Sequence, residues 1–212
     1  MKEKYKERIE EIISVSFNLL EKKIANGGIV SKNEASFQLE LATILKSIGN
    51  LYEFNKDEKF HLELENYIEL KDISRKSGTT KARVDIYIEF GTEDEKANCA
   101  LELKFLKKAN HREPNNRYDV FKDLANIEDY KNNGVDLCYF YIATDHSHYV
   151  HQEVYSEDTG DFDFRDTKTY TAGTELVYRT DNPFGPPIIL DNSYTFSWRE
   201  PQKEYYFMHI KI

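Results

Sequence analysis

Charged and apolar residues alternate in two neighbouring stretches of this sequence. The first stretch is Arg83-Val84-Asp85-Ile86 and the second is Leu101-Glu102-Leu103-Lys104. Hydrolysis of a phosphodiester at neutral pH needs charge relief on the phosphoryl oxygens and an activated water, and carboxylate-held Mg²⁺ supplies both. Asp85 and Glu102 are therefore candidate metal ligands. The ammonium group of Lys104 could orient the water or stabilise developing charge.

These side chains can meet only if the two stretches lie on neighbouring strands. Period-two alternation of apolar and polar residues predicts strands over Phe60–Leu70, Val84–Glu89 and Ala97–Phe105. The turn Gly91–Lys96 joins the last two, and an antiparallel hairpin would bring Asp85 beside Glu102. The same alternation puts Glu102 and Lys104 on one face of their strand.

Helical periodicity surrounds these strands. Apolar residues at three- and four-residue spacing predict helices over Tyr5–Ala25, from Ser31 to Gly49-Asn50, and over Asn116–Lys131. Glu34, three residues after Ser31, is the expected capping-box partner of the second helix. The apolar run Leu137–Ala143 predicts a strand buried on both faces. The polar stretch Ser74–Thr80 is a predicted loop, and the turn-rich remainder ends in a strand over Tyr205–Ile212.

The two charged stretches resemble the paired half-motifs of the PD-(D/E)XK, or restriction-endonuclease-like, nucleases. The predicted order of helix, three strands, helix and strand is similar to that family's core and spans about Ser31 to Thr144. Val84 stands where the motif has proline, a position that varies in the family. The resemblance implies a single α/β domain with a central mixed sheet flanked by helices. An extra helix (1–28) would precede the core, and a β-rich extension (145–212) would follow it.

The family resemblance also implies a catalytic centre of Asp85, Glu102 and Lys104 with Mg²⁺, for which Mn²⁺ can substitute. The family often adds an acidic residue from the first core helix; Glu34 is the first candidate and Glu40 the second. The implied substrate is DNA, with RNA left open. The expected activity is an endonuclease in restriction or phage defence, and the first helix offers a surface for a homodimer.

Two other interpretations of the charged residues remain open. Glu69-Leu70-Lys71 is a second E-x-K tripeptide, with Asp57 upstream. We prefer the Asp85 register because Asp85 lies inside an alternating apolar run, whereas Asp57 lies in a polar stretch. Alternatively, the trio forms an ion-pair ladder on a solvated sheet face.

A basic run follows the third strand, where a scissile backbone would pass. Its members are Lys107, Lys108, His111, Arg112 and Arg117. They are candidate contacts to phosphate, and the alternative is a solvated loop. A formal net charge of −9 opposes non-specific nucleic-acid affinity, so binding would depend on such a local patch.

Histidines and aromatic residues after the fourth strand allow further readings. His146, His148 and His151 could ligate metal, but no acidic partner at a suitable spacing completes the set, which favours solvent-exposed or core-edge imidazoles. Trp198 and its aromatic neighbours could stack on bases, although core packing is the preferred interpretation. Cys99 and Cys138 are expected to be small core residues.

Composition gives the broad class of protein. The longest apolar runs are too short to span a bilayer, and the N-terminus lacks the apolar core of a signal peptide, so a cytoplasmic protein is expected. A catalytically silent nucleic-acid-binding or assembly protein that keeps the nuclease fold is the alternative function. A structural protein whose charges are accidental is the third possibility.

Overall fold

A five-stranded mixed sheet forms the centre of the molecule in the computed structural model, which describes residues 2–71, 78–152 and 156–212. The spatial order is β1-β2-β3-β4-β9. These strands span Lys59–Glu69 (β1), Lys81–Gly91 (β2), Lys96–Leu106 (β3), Leu137–Thr144 (β4) and Tyr206–Lys211 (β9). The pair β3–β4 is parallel and the other neighbours are antiparallel. The predicted loop at Ser74–Thr80 lies mostly outside the described residues.

The strand β9 shows that the C-terminal segment is not only an appendage. It pairs with β4 and completes the central sheet, although the predicted core ended near Thr144. The remaining strands of this segment are two-residue pairs: Thr169–Tyr170 (β5), Glu175–Leu176 (β6), Ile188–Ile189 (β7) and Tyr194–Thr195 (β8). Trp198 is buried and its indole N–H donates to the carbonyl oxygen of Phe164 at 2.8 Å, so core packing is confirmed for this residue.

The helices are α1 (Lys2–Ala25), α2 (Glu34–Leu51), α3 (Glu113–Asn132) and the single turn α4 (His148–His151). Helices α1 and α2 pack on one face of the sheet, and α3 packs on the other. The described chain is therefore an α/β fold with covered sheet faces. None of its helices has the length and apolar character needed to cross a membrane.

The start of α2 differs from the prediction. Asn33, not Ser31, is the N-cap: its side chain accepts from the Ser36 N–H at 2.9 Å, and the Ser36 hydroxyl accepts from the Asn33 N–H at 3.1 Å. Ser36 thus takes the capping-box position predicted for Glu34. Glu34 is the first helical residue, and its carboxylate contacts Lys104 and the Phe105 N–H instead of the helix N-terminus.

The apolar stripe of α1 belongs to the core. Ile9, Ile12 and Phe17 are buried against the sheet and α2. The apolar stripe of α1 is therefore not available to a partner, and a homodimer on the remaining surface of this helix stays a prediction.

The regular alternation predicted for β2 fails at Asp85. Val84 packs in the core on the α3 face, whereas Ile86 packs on the face of α1 and α2. The pairing with β1 runs from Leu64↔Ile86 directly to Asn66↔Val84, and Glu65 between them has a φ of 55°. The last pair between β2 and β3 is Ile86↔Leu101. The two strands therefore separate at Asp85, and this opening lies at the candidate site.

Candidate active site

Asp85 occupies the opening between β2 and β3. Its Oδ2 accepts a hydrogen bond from the backbone N–H of Leu103 at 2.7 Å. Its carbonyl oxygen accepts from the side-chain amide of Gln38 on α2 at 2.6 Å. The carboxylate thus replaces the backbone acceptor on β2 that the Leu103 N–H would have in a regular ladder. This hydrogen bond holds Asp85 next to the strand that carries Glu102 and Lys104.

Glu102 lies one register step beyond the last β2–β3 pair, at the position opposite Asp85. It is only 1% exposed, and its Oε1 accepts from the hydroxyl of Tyr130 on α3 at 2.6 Å. Burial and the neighbouring Glu102 carboxylate raise the pKa of Tyr130 well above its ordinary value. Tyr130 therefore stays protonated and orients the carboxylate as a donor.

Lys104 projects into the same cluster between α2 and α3. Its Nζ lies 2.5 Å from Oδ2 of Asp123 and 3.4 Å from Oε1 of Glu34. Burial lowers the pKa of Lys104, but the charges of Asp123 and Glu34 outweigh burial and raise that pKa above its ordinary value. The side chain is therefore a permanent cation and hydrogen-bond donor at physiological pH.

Glu34 closes the cluster from the start of α2. Its Oε2 accepts from the backbone N–H of Phe105 at 3.3 Å, and its Oε1 faces Lys104. Burial raises the pKa of Glu34, and repulsion by Asp85 and Asp123 adds to that rise while Lys104 opposes it. The structure thus brings Glu34 to Asp85 and Lys104, as the sequence analysis expected.

Asp123 is a member of the cluster that the sequence analysis missed. It is 6% exposed on α3. The signal was a polar stripe at spacings of four, three and four that runs beside the apolar residues of the helix: Asp119, Asp123, Asn126 and Tyr130. Burial and repulsion by Asp123 also raise the pKa of Asp119, which Lys104 and Arg112 counter. A polar stripe on a covered helix face marks a buried polar site rather than solvent.

The donor set suits a hard divalent cation. Glu34, Asp85, Glu102 and Asp123 supply four carboxyl groups, and Lys104 pairs with two of them, Glu34 and Asp123. Carboxylate oxygens are the preferred ligands of Mg²⁺, and the excess negative charge is the condition that such an ion relieves. Among the described residues, however, no three of these carboxylates offer oxygens within 4.8 Å of one another, so side chains would have to rotate before Glu34, Asp85 and Glu102 could hold one ion.

Both alternative readings of these charges are wrong. Asp57 precedes β1 and Glu69 ends it, so the length of the strand separates them and they cannot converge. The Glu69 carboxylate instead accepts from the Thr80 hydroxyl at 3.0 Å. The ion-pair ladder requires a solvated sheet face, yet Glu102 is buried beneath α3.

The predicted basic run divides into two groups. Lys107, Lys108, His111 and Arg112 line a cleft of about 330 Å³ beyond the end of β3. Arg117 was predicted to contact nucleic acid, and that prediction is wrong. Its side chain is 3% exposed, is paired with Glu113, and packs on the rings of Tyr149 and Phe164.

The three histidines do not lie together. His146 and His148 meet Glu113 at the same cleft, whereas the ring of His151 packs against Tyr206. The expectation that no acidic residue completes the set is wrong, because α3 brings in Glu113 from a distant part of the sequence. Cys99 and Cys138 are buried free thiols, as expected.

Comparison of the chain with protein-family models, with curated proteins and with solved structures found no match. The general α/β class with a mixed central sheet follows from the strand order itself. Any assignment of function therefore depends on the geometry of the site.

Proposed function

We propose that this chain is a Mg²⁺-dependent endonuclease with a restriction-endonuclease-like core that hydrolyses phosphodiester bonds in DNA. The observation that carries the proposal is that Asp85 and Glu102 lie at opposite positions of the opening between β2 and β3, with Lys104 next on the same face of β3 and paired with Glu34 at 3.4 Å. The two half-motifs occupy adjacent antiparallel strands, as that family resemblance implies.

Different residues of the site would bind the metal and fix the orientation of the metal-binding side chains. Bound Mg²⁺ would relieve charge on the phosphoryl oxygens and lower the pKa of a bound water. Glu34, Asp85 and Glu102 would hold the ion, and the Leu103 N–H and the Tyr130 hydroxyl fix the orientation of Asp85 and Glu102.

Lys104 acts as a donor rather than as a base. Its pKa is raised, so it retains its proton and can donate to the attacking water or to a phosphoryl oxygen. Helix α3 covers one side of Lys104 through Asp123, and α2 covers another through Glu34. A donor fixed in this way needs little reorganisation during the reaction.

The DNA backbone would approach along the cleft beyond β3. Lys107 and Lys108 follow the catalytic strand directly, and Arg112 stands at the start of α3. Because the chain carries a net charge of −9, this local patch has to supply the attraction, although Lys107 and Arg112 lie near Asp145 and Asp119. Binding should consequently be weak at moderate salt unless specific contacts are added.

One observation favours the alternative function, a catalytically silent nucleic-acid-binding or assembly protein. The nearest partner of Lys104 is Asp123, and a lysine held by a buried carboxylate is less available to substrate. The experiment must therefore separate binding from cleavage.

The deciding experiment incubates supercoiled plasmid with the purified chain, with and without Mg²⁺ or Mn²⁺, and runs a structured RNA in parallel. We expect metal-dependent nicking that Asp85→Asn and Lys104→Ala abolish. The second E-x-K tripeptide provides matched controls, and Glu69→Gln and Lys71→Ala should cut like the wild type. Binding without cleavage of DNA or RNA would favour the silent protein, and metal-independent cleavage or cleavage by Asp85→Asn would contradict the proposed centre.

A further inference from the structure

A second group of metal-ligating side chains lies at the cleft formed by the start of α3 and the segment after β4. Glu113 is the first residue of α3, and His146 and His148 follow β4. One ligand atom from each lies within 4.8 Å of the others. We propose that Glu113, His146 and His148 form a Zn²⁺ site, separate from the carboxylate cluster around Lys104.

The distances are close to those of a bound ion. Oε2 of Glu113 lies 3.9 Å from Nε2 of His146 and 4.0 Å from Nδ1 of His148. Ligand atoms around tetrahedral Zn²⁺ are about 3.3 Å apart, because each lies about 2.0–2.2 Å from the metal. The side chains of Glu113 and His148 are 30% and 58% exposed, so rotation of these two can close the gap.

His146 provides the fixed part of the site. Its backbone N–H donates to the Thr144 hydroxyl at 3.0 Å, and its ring packs edge-on against Tyr149. The rings of His146 and His148 stack with centroids 4.5 Å apart. The two imidazoles therefore already share one side of the cleft.

Arg117 orients the carboxylate of the site. It donates to Oε1 of Glu113, which leaves Oε2 directed at the two histidines. The guanidinium is itself held over the rings of Tyr149 and Phe164. A buried partner that fixes a ligating carboxylate is the usual outer arrangement of a metal centre.

Charges of both signs surround His146: Lys108 disfavours a bound cation there, whereas Glu113 and Asp145 favour it. Lys107 lies 4.0 Å from Asp145, and Arg112 lies 3.9 Å from Asp119, so these positive charges have acidic partners. Two imidazole nitrogens and one carboxylate oxygen favour Zn²⁺ over Mg²⁺, which prefers oxygen ligands. Three protein ligands leave a fourth position open to the cleft, where water or a small anion could bind.

The test measures Zn²⁺ affinity of the full chain, stripped of metal, by competition with a chromophoric chelator. We expect one tight equivalent in the wild type and in Asp85→Asn. His148→Ala and His146→Ala should lower affinity at least about 100-fold, which is the upper range for loss of a mere outer-shell partner. His151→Ala is the matched control and should bind like the wild type.

Co²⁺ gives a second readout that reports coordination. The wild type and His151→Ala should give the intense visible bands of a four- or five-coordinate ion, and His148→Ala should lose them. Because His148 is the most exposed ligand, its variant keeps the test valid if His146→Ala fails to fold. Absence of Zn²⁺ binding, unchanged affinity in His148→Ala, or loss of the tight equivalent in Asp85→Asn would each overturn the proposal.

Discussion

Nζ of Lys104 lies closer to Oδ2 of Asp123, at 2.5 Å, than to Oε1 of Glu34, at 3.4 Å. The lysine of the candidate site is thus held between two helices on opposite faces of the sheet. The position of the ammonium group therefore depends on α3 as well as on its own strand.

Asp123→Asn should lower the single-turnover cleavage rate by about 10- to 100-fold, because a misplaced catalytic group costs that much. The substitution removes the charge that holds Lys104 and keeps the shape of the side chain. A double-variant cycle with Lys104→Ala tests the route of the effect. If Asp123 acts through Lys104, Asp123→Asn adds no further loss to Lys104→Ala, and a fully additive loss would contradict this role.

Lys104→Ala should reduce cleavage by about a hundredfold or more and leave DNA binding nearly unchanged. Lys104 is one of 29 Lys and Arg residues, and its loss should lower the salt slope of binding by about one unit at most. Lys108→Ala is the control with the opposite pattern: weaker binding at moderate salt and near-normal single-turnover cleavage at saturating protein. If the two variants behave alike, Lys104 has no catalytic role separable from attraction.

Glu34→Gln should stabilise the metal-free protein at pH 7, although it removes an ion-pair partner of Lys104. The folded state raises the pKa of Glu34, so folding binds protons between the unfolded and folded pKa values, and stability falls as pH rises through that window. The stabilisation should therefore vanish at acid pH, where the wild-type carboxyl is neutral. Urea unfolding at both pH values measures it.

Glu40→Gln is the control for loss of another carboxyl group on the same helix. Mg²⁺ provides the complementary test: it should stabilise the wild type more than Glu34→Gln, since a ligand that binds only the native state adds stability in proportion to its affinity. Equal stabilisation of the two proteins by Mg²⁺ would remove Glu34 from the ligand set.

Tyr130→Phe should destabilise the fold by about 1–3 kcal/mol, because it deprives the buried Glu102 carboxylate of a donor without changing the packing of the ring. Tyr67→Phe, on the exposed edge strand, should stay within about 0.5 kcal/mol of the wild type. Denaturant unfolding measures both. An unchanged midpoint in Tyr130→Phe would show that the hydrogen bond to Glu102 contributes little.

Much of this arrangement could be predicted from local pattern. Alternation located β1 to β3 to within a few residues, and a continuous apolar run located β4. The hairpin with Glu102 and Lys104 on one strand face followed from the alternation. The separation of the strands at Asp85 could not be predicted, because Val84 and Ile86 keep the same spacing whether or not the chain changes face between them. Local sequence propensity does not predict where two paired strands separate.

Contacts distant in sequence explain the other differences. Asp123 joins Lys104, and Glu113 joins His146, only because α3 packs across the sheet. In the sequence, Arg117 is one of several basic residues, and only the folded structure shows that it packs on the rings of Tyr149 and Phe164. In each case the deciding information is the packing of one helix.

The pairing of β9 with β4 has a consequence for the order in which the molecule is assembled. All eight residues of β4 are buried in the finished fold, and the strand that covers its outer edge is made only when the ribosome reaches Tyr206–Lys211. Until then the nascent chain presents an apolar strand with free backbone donors and acceptors, the kind of edge that recruits other chains. A chain that ended before Tyr206 would therefore leave this edge of β4 without its strand partner.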